Sequence, residues 1–359
     1  MKKKITAIIL AVCILAVGFG AGFLTKGLCD NKDDGIDKTA LAMFDSLKDM
    51  DDTVYVIGHQ SPDSDTVISA IVMADLLNKI GVKAEARVAG ELNNESKAIL
   101  SYFGCEAPKL LENAAGKNLF LVDHNALTQT VDGGDEAYIV GIVDHHAIDG
   151  VKTANTVFSK TAFIGSTAFL IYSLYKDLNL PVDKTTAGLM IAAEQSDTNN
   201  QRYKDAITEA DLAFMDELLE ISGVDRDDLN VKRLQAKVNY EGKSAHDLLF
   251  LDYKTYDIGD KKVGIGTLNS IGKEDSDARI AQMKQALKDY YEESGMDYLY
   301  LMIHDYVTDE QYILCEGDGA KEFCEQALDT EFTDYLTLKE SISRKSTFVP
   351  ALTEAAKGQ

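Results

Sequence analysis

The stretch TVYVIGHQSPDSD, residues 53–65, joins a run of β-branched and aromatic residues to a polar loop rich in acid. TVYVIG has the composition and length of a buried strand, and the apolar spacing from Thr66 to Ile80 predicts a helix directly behind it. The same alternation continues outward. VKAEARV (82–88), a helix near Lys97 to Phe103, NLFLVDH (118–124) and AYIVGIVDHH (137–146) follow in turn. Strands alternating with helices predict an α/β fold around a parallel sheet, and ligand sites in such sheets collect beyond the carboxyl ends of the strands.

Those strand ends carry the chemistry. GHQSPDSD places His59, Asp63 and Asp65 after the first strand, VDHN places Asp123 and His124 after another, and VDHH places Asp144, His145 and His146 after a third. Asp197, in SDTNNQRY (196–203), follows a later apolar helix. Four of the six histidines therefore lie at strand ends beside aspartates, while His246 and His304 have no such neighbours. Taken singly, each residue reads as a polar group capping a helix or satisfying a strand end. As a set they read as a metal site, because buried clustered charge is tolerated only when paired or coordinated.

Helices are expected at Ser166–Asp177, at Thr185–Ala193 and over a long stretch from Glu209 to Gln235. A smaller mixed α/β part follows, with a strand over Leu249–Tyr256, a turn at Gly259 and Asp260 and a strand VGIGTL (263–268). A helix over Asp277–Glu293, strands DYLYLMIH (297–304) and EQYILCEG (310–317), and the closing run SRKSTFVP (343–350) complete it. The boundaries read as a leader at 1–28, an acidic spacer at 29–50, a metal-binding domain at 51–241 and a C-terminal domain at 242–359.

In the leader, Lys2, Lys3 and Lys4 precede an uncharged apolar run from Ile5 to Leu24, long enough to cross a bilayer. Positive charge stays on the cytoplasmic side, so this signal peptide or membrane anchor would place everything after Lys26 outside. Small residues at Gly18, Gly20, Ala21 and Gly22 leave cleavage open. Lipidation at Cys29 stays the lesser reading, since Lys26, Gly27 and Leu28 ahead of it lack the small residue usually found immediately before a lipidated cysteine. Cys105, Cys315 and Cys324 read as idle thiols, with a Cys315–Cys324 pairing as the lesser reading in an oxidising compartment.

The formal net charge of −23 over 359 residues disfavours nucleic-acid polymers as partners. A small phosphate compound would need divalent cations to neutralise the acidic cluster.

HxxxDxD followed by DHN, DHH and a later SDT resembles the DHH phosphoesterase superfamily. SRKSTFVP, together with LDYKTY and GDKKVGIGTLN, is similar to the C-terminal domain of its family II, manganese-dependent inorganic pyrophosphatases; the glycine-rich GGGH-like motif of other branches is missing. The resemblance implies that His59, Asp63 and Asp123 hold one metal and Asp65, Asp123, His145 and Asp197 a second, with Asp123 bridging. It implies that His146 faces substrate, that Asp144 orients His145, with His124 also behind the ligands, and that Lys254, Arg344 and Lys345 reach across an interdomain cleft to phosphate oxygens. Lys254 as a plain solvated lysine is the competing view. Two ions roughly 3.5–4 Å apart would prime a shared water for attack on phosphorus, and mixed imidazole and carboxylate ligation favours Mn²⁺ or Co²⁺ at the protein sites, with Mg²⁺ arriving on substrate.

Hydrolysis of inorganic pyrophosphate outside the cytoplasmic membrane is thus the expectation, with homodimerisation left open. Two departures from the family stand out: the leader, and NNQRYKDAI after Asp197 where an FKSPT-like run is familiar. The rivals are another DHH-type enzyme, an exopolyphosphatase or small-nucleotide phosphodiesterase, and a non-catalytic surface protein binding phosphate or metal.

Overall fold

Val54, Val56 and Ile57 are wholly buried in strand β1 (Val54–Ile57), the centre of a sheet covered on both faces, which is why the run carries no polar alternation. The structure, a computed structural model, describes residues 42, 44–48, 50 and 52–357. The leader at 1–28, with Cys13, and most of the spacer at 29–50, with Cys29, lie outside the described residues. Among the described residues no helix is long and apolar enough to cross a membrane.

A short helix α1 (Asp45–Lys48) leads into the first domain. After β1 come α2 (Ser64–Lys79), β2 (Ala84–Val88), α3 (Asn94–Tyr102), β3 (Lys109–Leu110), β4 (Asn118–Val122), β5 (Tyr138–Asp144) and β6 (Phe158–Thr161). All six strands are parallel, in the order β3-β2-β1-β4-β5-β6. The chain runs outward from β1 in one direction, then restarts beside β1 and runs outward in the other. That makes the β1/β4 junction the topological switch point, where the loops diverge and leave a crevice.

Helices α4 (Thr167–Asp177) and α5 (Lys184–Asp197) pack with α2 on one face of the sheet, in an apolar cluster that includes Met73, Phe120, Phe169 and Met190. Ile57, Leu119, Leu121 and Ile142 project from the other face and gather with Leu111 and Val131.

The expected helix over Glu209–Gln235 is two helices, α6 (Glu209–Ser222) and α7 (Arg226–Lys237). Gly223, at φ 66°, takes the left-handed conformation that ends α6, and the Asp225 side chain caps α7. The expected strand over Leu249–Tyr256 also gives way. Ser244 and Asp247 form a reciprocal capping box, so Ala245–Leu249 is a short helix, α8, and strand β7 begins only at Tyr253 (Tyr253–Ile258).

The second sheet adds β8 (Lys261–Ser270), β9 (Tyr298–Asp305), β10 (Gln311–Glu316) and β11 (Leu336–Leu338), in the order β11-β10-β9-β8-β7. It is mixed: β8 and β9 are parallel across α9 (Gly272–Ser294), and the other pairs are antiparallel. Helix α10 (Ala320–Leu328) precedes β11. SRKSTFVP forms a wide turn, Arg344–Phe348, running into α11 (Val349–Lys357). Two further apolar clusters, drawn from residues 248–355, cover the faces of this sheet separately from the first-domain core. Cys105, Cys315 and Cys324 are free thiols.

Candidate metal centre

The switch point brings together the loops after β1 and β4, the end of β5 and the last turn of α5. Asp63 caps α2: one carboxylate oxygen accepts from the Thr66 N–H at 2.9 Å, and the other lies 3.6 Å from His59 Nε2. Asp65 sits at the N-terminus of α4, accepting from the Thr167 N–H at 2.7 Å and the Ala168 N–H at 3.0 Å, with Ser69 Oγ at 3.0 Å. The unpaired amides of a helix start stabilise that buried anion.

Asp123 lies at the centre. It is 1% exposed and holds φ 60°, a left-handed conformation that bends the chain away from β4 and turns the carboxylate into the crevice. Its oxygens accept from Thr66 Oγ1 at 2.6 Å and Thr167 Oγ1 at 3.0 Å. They stand 3.6 Å from His59 Nε2 and 3.5 Å from His145 Nε2. Asp197 lies 3.6 Å from the same His145 nitrogen. It sits on α5 itself, which runs four residues past the expected end at Ala193.

Contacts of 3.5–3.6 Å are long for hydrogen bonds. They suit donors that share an ion, since two ligand atoms each about 2.1 Å from one cation stand roughly 3.0–3.4 Å apart. Two donor groups form, His59 with Asp63 and Asp123, and Asp65 with Asp123, His145 and Asp197, and Asp123 belongs to both. A third grouping joins Asp123, His145 and His146. His146 is poorly available for it, because its Nδ1 is engaged at 2.9 Å by Asp144.

Electrostatics favours the same reading. Burial, and then the neighbouring Asp65 and Asp63 carboxylates, push Asp123 well above the usual carboxylate range; burial and the same neighbours raise Asp197. Among the described residues, every ion-pair contact of Asp63, Asp123 and Asp197 is to a histidine. Crowded carboxylates with imidazole nitrogens interleaved fit divalent manganese, which accepts both ligand types.

The ring contacts behind the ligands differ from expectation in one respect. Asp144 orients His146, through both the backbone N–H (3.1 Å) and Nδ1 (2.9 Å), and has no hydrogen bond to His145. His145 is oriented by the Ile164 carbonyl at 2.9 Å from its Nδ1, which leaves Nε2 free to ligate. The two adjacent imidazoles stand nearly perpendicular, at 81°, so they can take unlike partners. The Asp144 hydrogen bond raises the pKa of His146, whose half-exposed ring opens to the cleft. His124 is wholly buried, with Nδ1 on the Val122 carbonyl and Nε2 beside Thr130 Oγ1; burial lowers it to about 4, and it has no free nitrogen for a metal.

Sequence reasoning missed Thr66, Thr167 and Asn125, which hold Asp123 and Asp144. Only the N-cap at Ser166 signals that a helix start lies there. It also missed a buried triad in which Glu95 accepts from Arg233 at 2.7 Å and pairs with Lys237 at 3.1 Å.

Asp63, His145, His146 and Asp197 open onto an interdomain cleft of about 820 Å³, whose lining also includes Tyr240, Lys243 and Tyr306. Lys254, Arg344 and Lys345 line neither this cleft nor the smaller one beside His59 and Asp123. Lys254 and Lys345 are exposed, and Arg344 is held by Asp252, through its carboxylate and its carbonyl, each at 2.6 Å.

Residues 53–193 match the DHH family, N-terminal domain, and residues 233–355 match the DHHA2 domain. The manganese-dependent inorganic pyrophosphatase of Bacillus subtilis is 34% identical over 84% of this chain and 98% of its own length. That of Methanothrix thermoacetophila is 36% identical over 86% and 100%. The chain belongs to the family II inorganic pyrophosphatases. A solved Methanococcus jannaschii structure assigned to the same family, 29% identical, superposes with a TM-score of 0.58 over 85% of this chain and all of the other. The DHH fold is hydrolytic, and this family II chain is a hydrolase.

Proposed function

We propose that the chain hydrolyses inorganic pyrophosphate to two phosphates with manganese, at a centre held by His59, Asp63, Asp65, Asp123, His145 and Asp197. The observation that carries this reading is the convergence of those groups on Asp123, at spacings suited to shared cations. The pyrophosphatase names of relatives at 34–36% identity support the substrate. A pair of divalent cations supplies, when bound, the acidification of water and the screening of phosphate charge.

The chain's own residues do the rest. Thr66 and Thr167 fix the Asp123 carboxylate, the start of α4 fixes Asp65, and the Ile164 carbonyl fixes the tautomer of His145. His146, whose pKa the Asp144 hydrogen bond raises, offers an Nε2–H to a phosphate oxygen when protonated. Lys254, Arg344 and Lys345 grip the departing phosphate once the second domain approaches. Arg344 would then exchange Asp252 for phosphate, a planar guanidinium meeting a tetrahedral anion in either case.

The leader, with Lys2 to Lys4 ahead of Ile5–Leu24, supports an activity on the outer side of the cytoplasmic membrane. Phosphate release from pyrophosphate by the purified chain, with Mn²⁺, Co²⁺ and Mg²⁺ compared after chelation, tests the reaction. Failure of Mn²⁺ and Co²⁺ alike to restore turnover would exclude it. Protease added to intact cells tests the location, since it should digest residues beyond the leader.

A further inference from the structure

The cleft beside the candidate metal centre carries two rings that the hydrolysis of bare pyrophosphate does not use. Phe163 is 69% exposed and Tyr203 41% exposed, both on its wall. Among the described residues neither packs against another aromatic ring. Leaving a large apolar ring in water is unfavourable, and a cluster of such rings in a concavity marks a ligand surface. Tyr306 also lines the cleft, its ring held between the Lys237 ammonium, 5.3 Å from the centroid, and the His304 ring at 4.7 Å.

Placement relative to the candidate ligands gives these rings a direction. Phe163 precedes Ile164, whose carbonyl fixes His145; Tyr203 follows Asp197 on the short NNQRY segment, where the chain departs from its family's usual run. Both rings line the cleft onto which Asp63, His145 and Asp197 also open. Pockets for small organic molecules span roughly 300–1,000 Å³, and this one is about 820 Å³. Pyrophosphate is small and wholly polar, and it offers nothing for a phenyl group to cover.

The geometry points to a phosphoanhydride that carries an aromatic heterocycle, a nucleoside 5′-di- or triphosphate, as a further substrate class, with its terminal phosphates at the acidic centre and its base against Phe163 and Tyr203. This rests on the hydrolytic reading above. Water adds to the terminal phosphorus, and the bond from that phosphorus to the bridging oxygen breaks. Inorganic phosphate and the nucleotide shortened by one phosphate leave, with one proton passing to solvent.

Equilibrium binding separates the two readings without turnover. The full chain with Mn²⁺ is titrated calorimetrically with imidodiphosphate and with adenosine 5′-(β,γ-imido)triphosphate, two hydrolysis-resistant probes. Base–aromatic stacking carries affinity of the order of tenfold or more per base. The Phe163→Ala, Tyr203→Ala double variant should therefore weaken the nucleotide probe by about that factor and leave imidodiphosphate within about twofold, and Phe163→Trp should preserve nucleotide binding. Saturation transfer to the adenine H2 and H8 protons should be seen in the wild type and fall in the double variant. Both rings are exposed, so circular dichroism should show the variants folded.

The inference is overturned if the nucleotide probe does not bind the wild type. It is equally overturned if the double variant binds both probes like the wild type, or loses both alike, which would assign the rings to domain closure. If imidodiphosphate itself does not bind and pyrophosphate is not hydrolysed, the underlying reading has failed instead.

Discussion

Asp123 carries two loads that a single side chain rarely combines: a left-handed backbone, and a carboxylate facing three imidazoles while Asp63, Asp65 and Asp197 crowd it. Asn tolerates the same backbone region, so Asp123→Asn removes charge without straining the turn. We expect kcat for pyrophosphate to fall at least about a thousandfold, with Mn²⁺ binding lost at both sites. The metal-free variant should melt above the metal-free wild type, because a buried like-charge cluster has lost one member. Near-normal turnover would exclude a shared ligand. His146 makes a contrasting case, since its Nδ1 is committed to Asp144. His146→Gln should cost about 10²–10⁴ in kcat, the range of a lost proton-bearing group, while a Mn²⁺ titration stays close to wild type. The strand-end motifs exposed most of this site to sequence reading, because a parallel sheet sends whatever follows each strand to one edge. The partner of Asp144 was not legible. Which of two adjacent histidines turns towards it depends on the peptide and side-chain torsions after β5, which neighbouring letters do not encode.

Elements differ in how far they announce themselves. α4 starts where Ser166 caps it, and its first amides reach Asp65, so the helix is part of the site though its residues look like ordinary core. α5 is longer than its apolar run suggests, because Glu194 and Gln195 are wholly buried and continue it to Asp197. Beyond it, Asn199, Asn200 and Gln201 take φ of 49°, 58° and 64° in succession, a left-handed turn that no glycine eases. Arg226 holds that turn, its Nε on Asn200 Oδ1 at 2.9 Å and its Nη2 on Gln201 Oε1 at 3.0 Å. No periodicity in NNQRY signals this; the support arrives from α7. Arg226→Ala should release the turn, lower the unfolding free energy by about 1–3 kcal/mol and weaken Mn²⁺ binding several-fold through Asp197. Thermal melts in EDTA and a Mn²⁺ titration check the two halves; unchanged metal affinity would mean that α5 alone positions Asp197.

At the scale of the molecule, the six-stranded sheet presents the acidic crevice, while the second domain carries Lys254 on β7 and Arg344 and Lys345 in the turn before α11, yet none of the three basic groups lines the cleft in this arrangement. Sequence order places them in the second domain, but no local pattern encodes how far two domains stand apart. If they grip phosphate, the domains must approach. Imidodiphosphate with Mn²⁺ should then reduce the radius of gyration in solution scattering, and Lys345→Ala should raise KM about tenfold or more while leaving Mn²⁺ affinity intact. The cations themselves bear on the whole fold. Asp123 and Asp197 hold their protons above the usual carboxylate range in the metal-free chain, so each binds a proton more tightly folded than unfolded. Their contribution to metal-free stability therefore grows as pH falls through their folded values and is lost as pH rises. Mn²⁺ must displace those protons, so its affinity should weaken from pH 7.5 to pH 5.5, with proton uptake or release measured by calorimetry in buffers of different ionisation heat. At pH 7.5 and about a hundred times Kd, binding to the folded chain alone adds about 2.7 kcal/mol, which for a chain of this size raises Tm by about 3–5 °C. A melting temperature indifferent to Mn²⁺ at pH 7.5 would show that these carboxylates do not hold the ion.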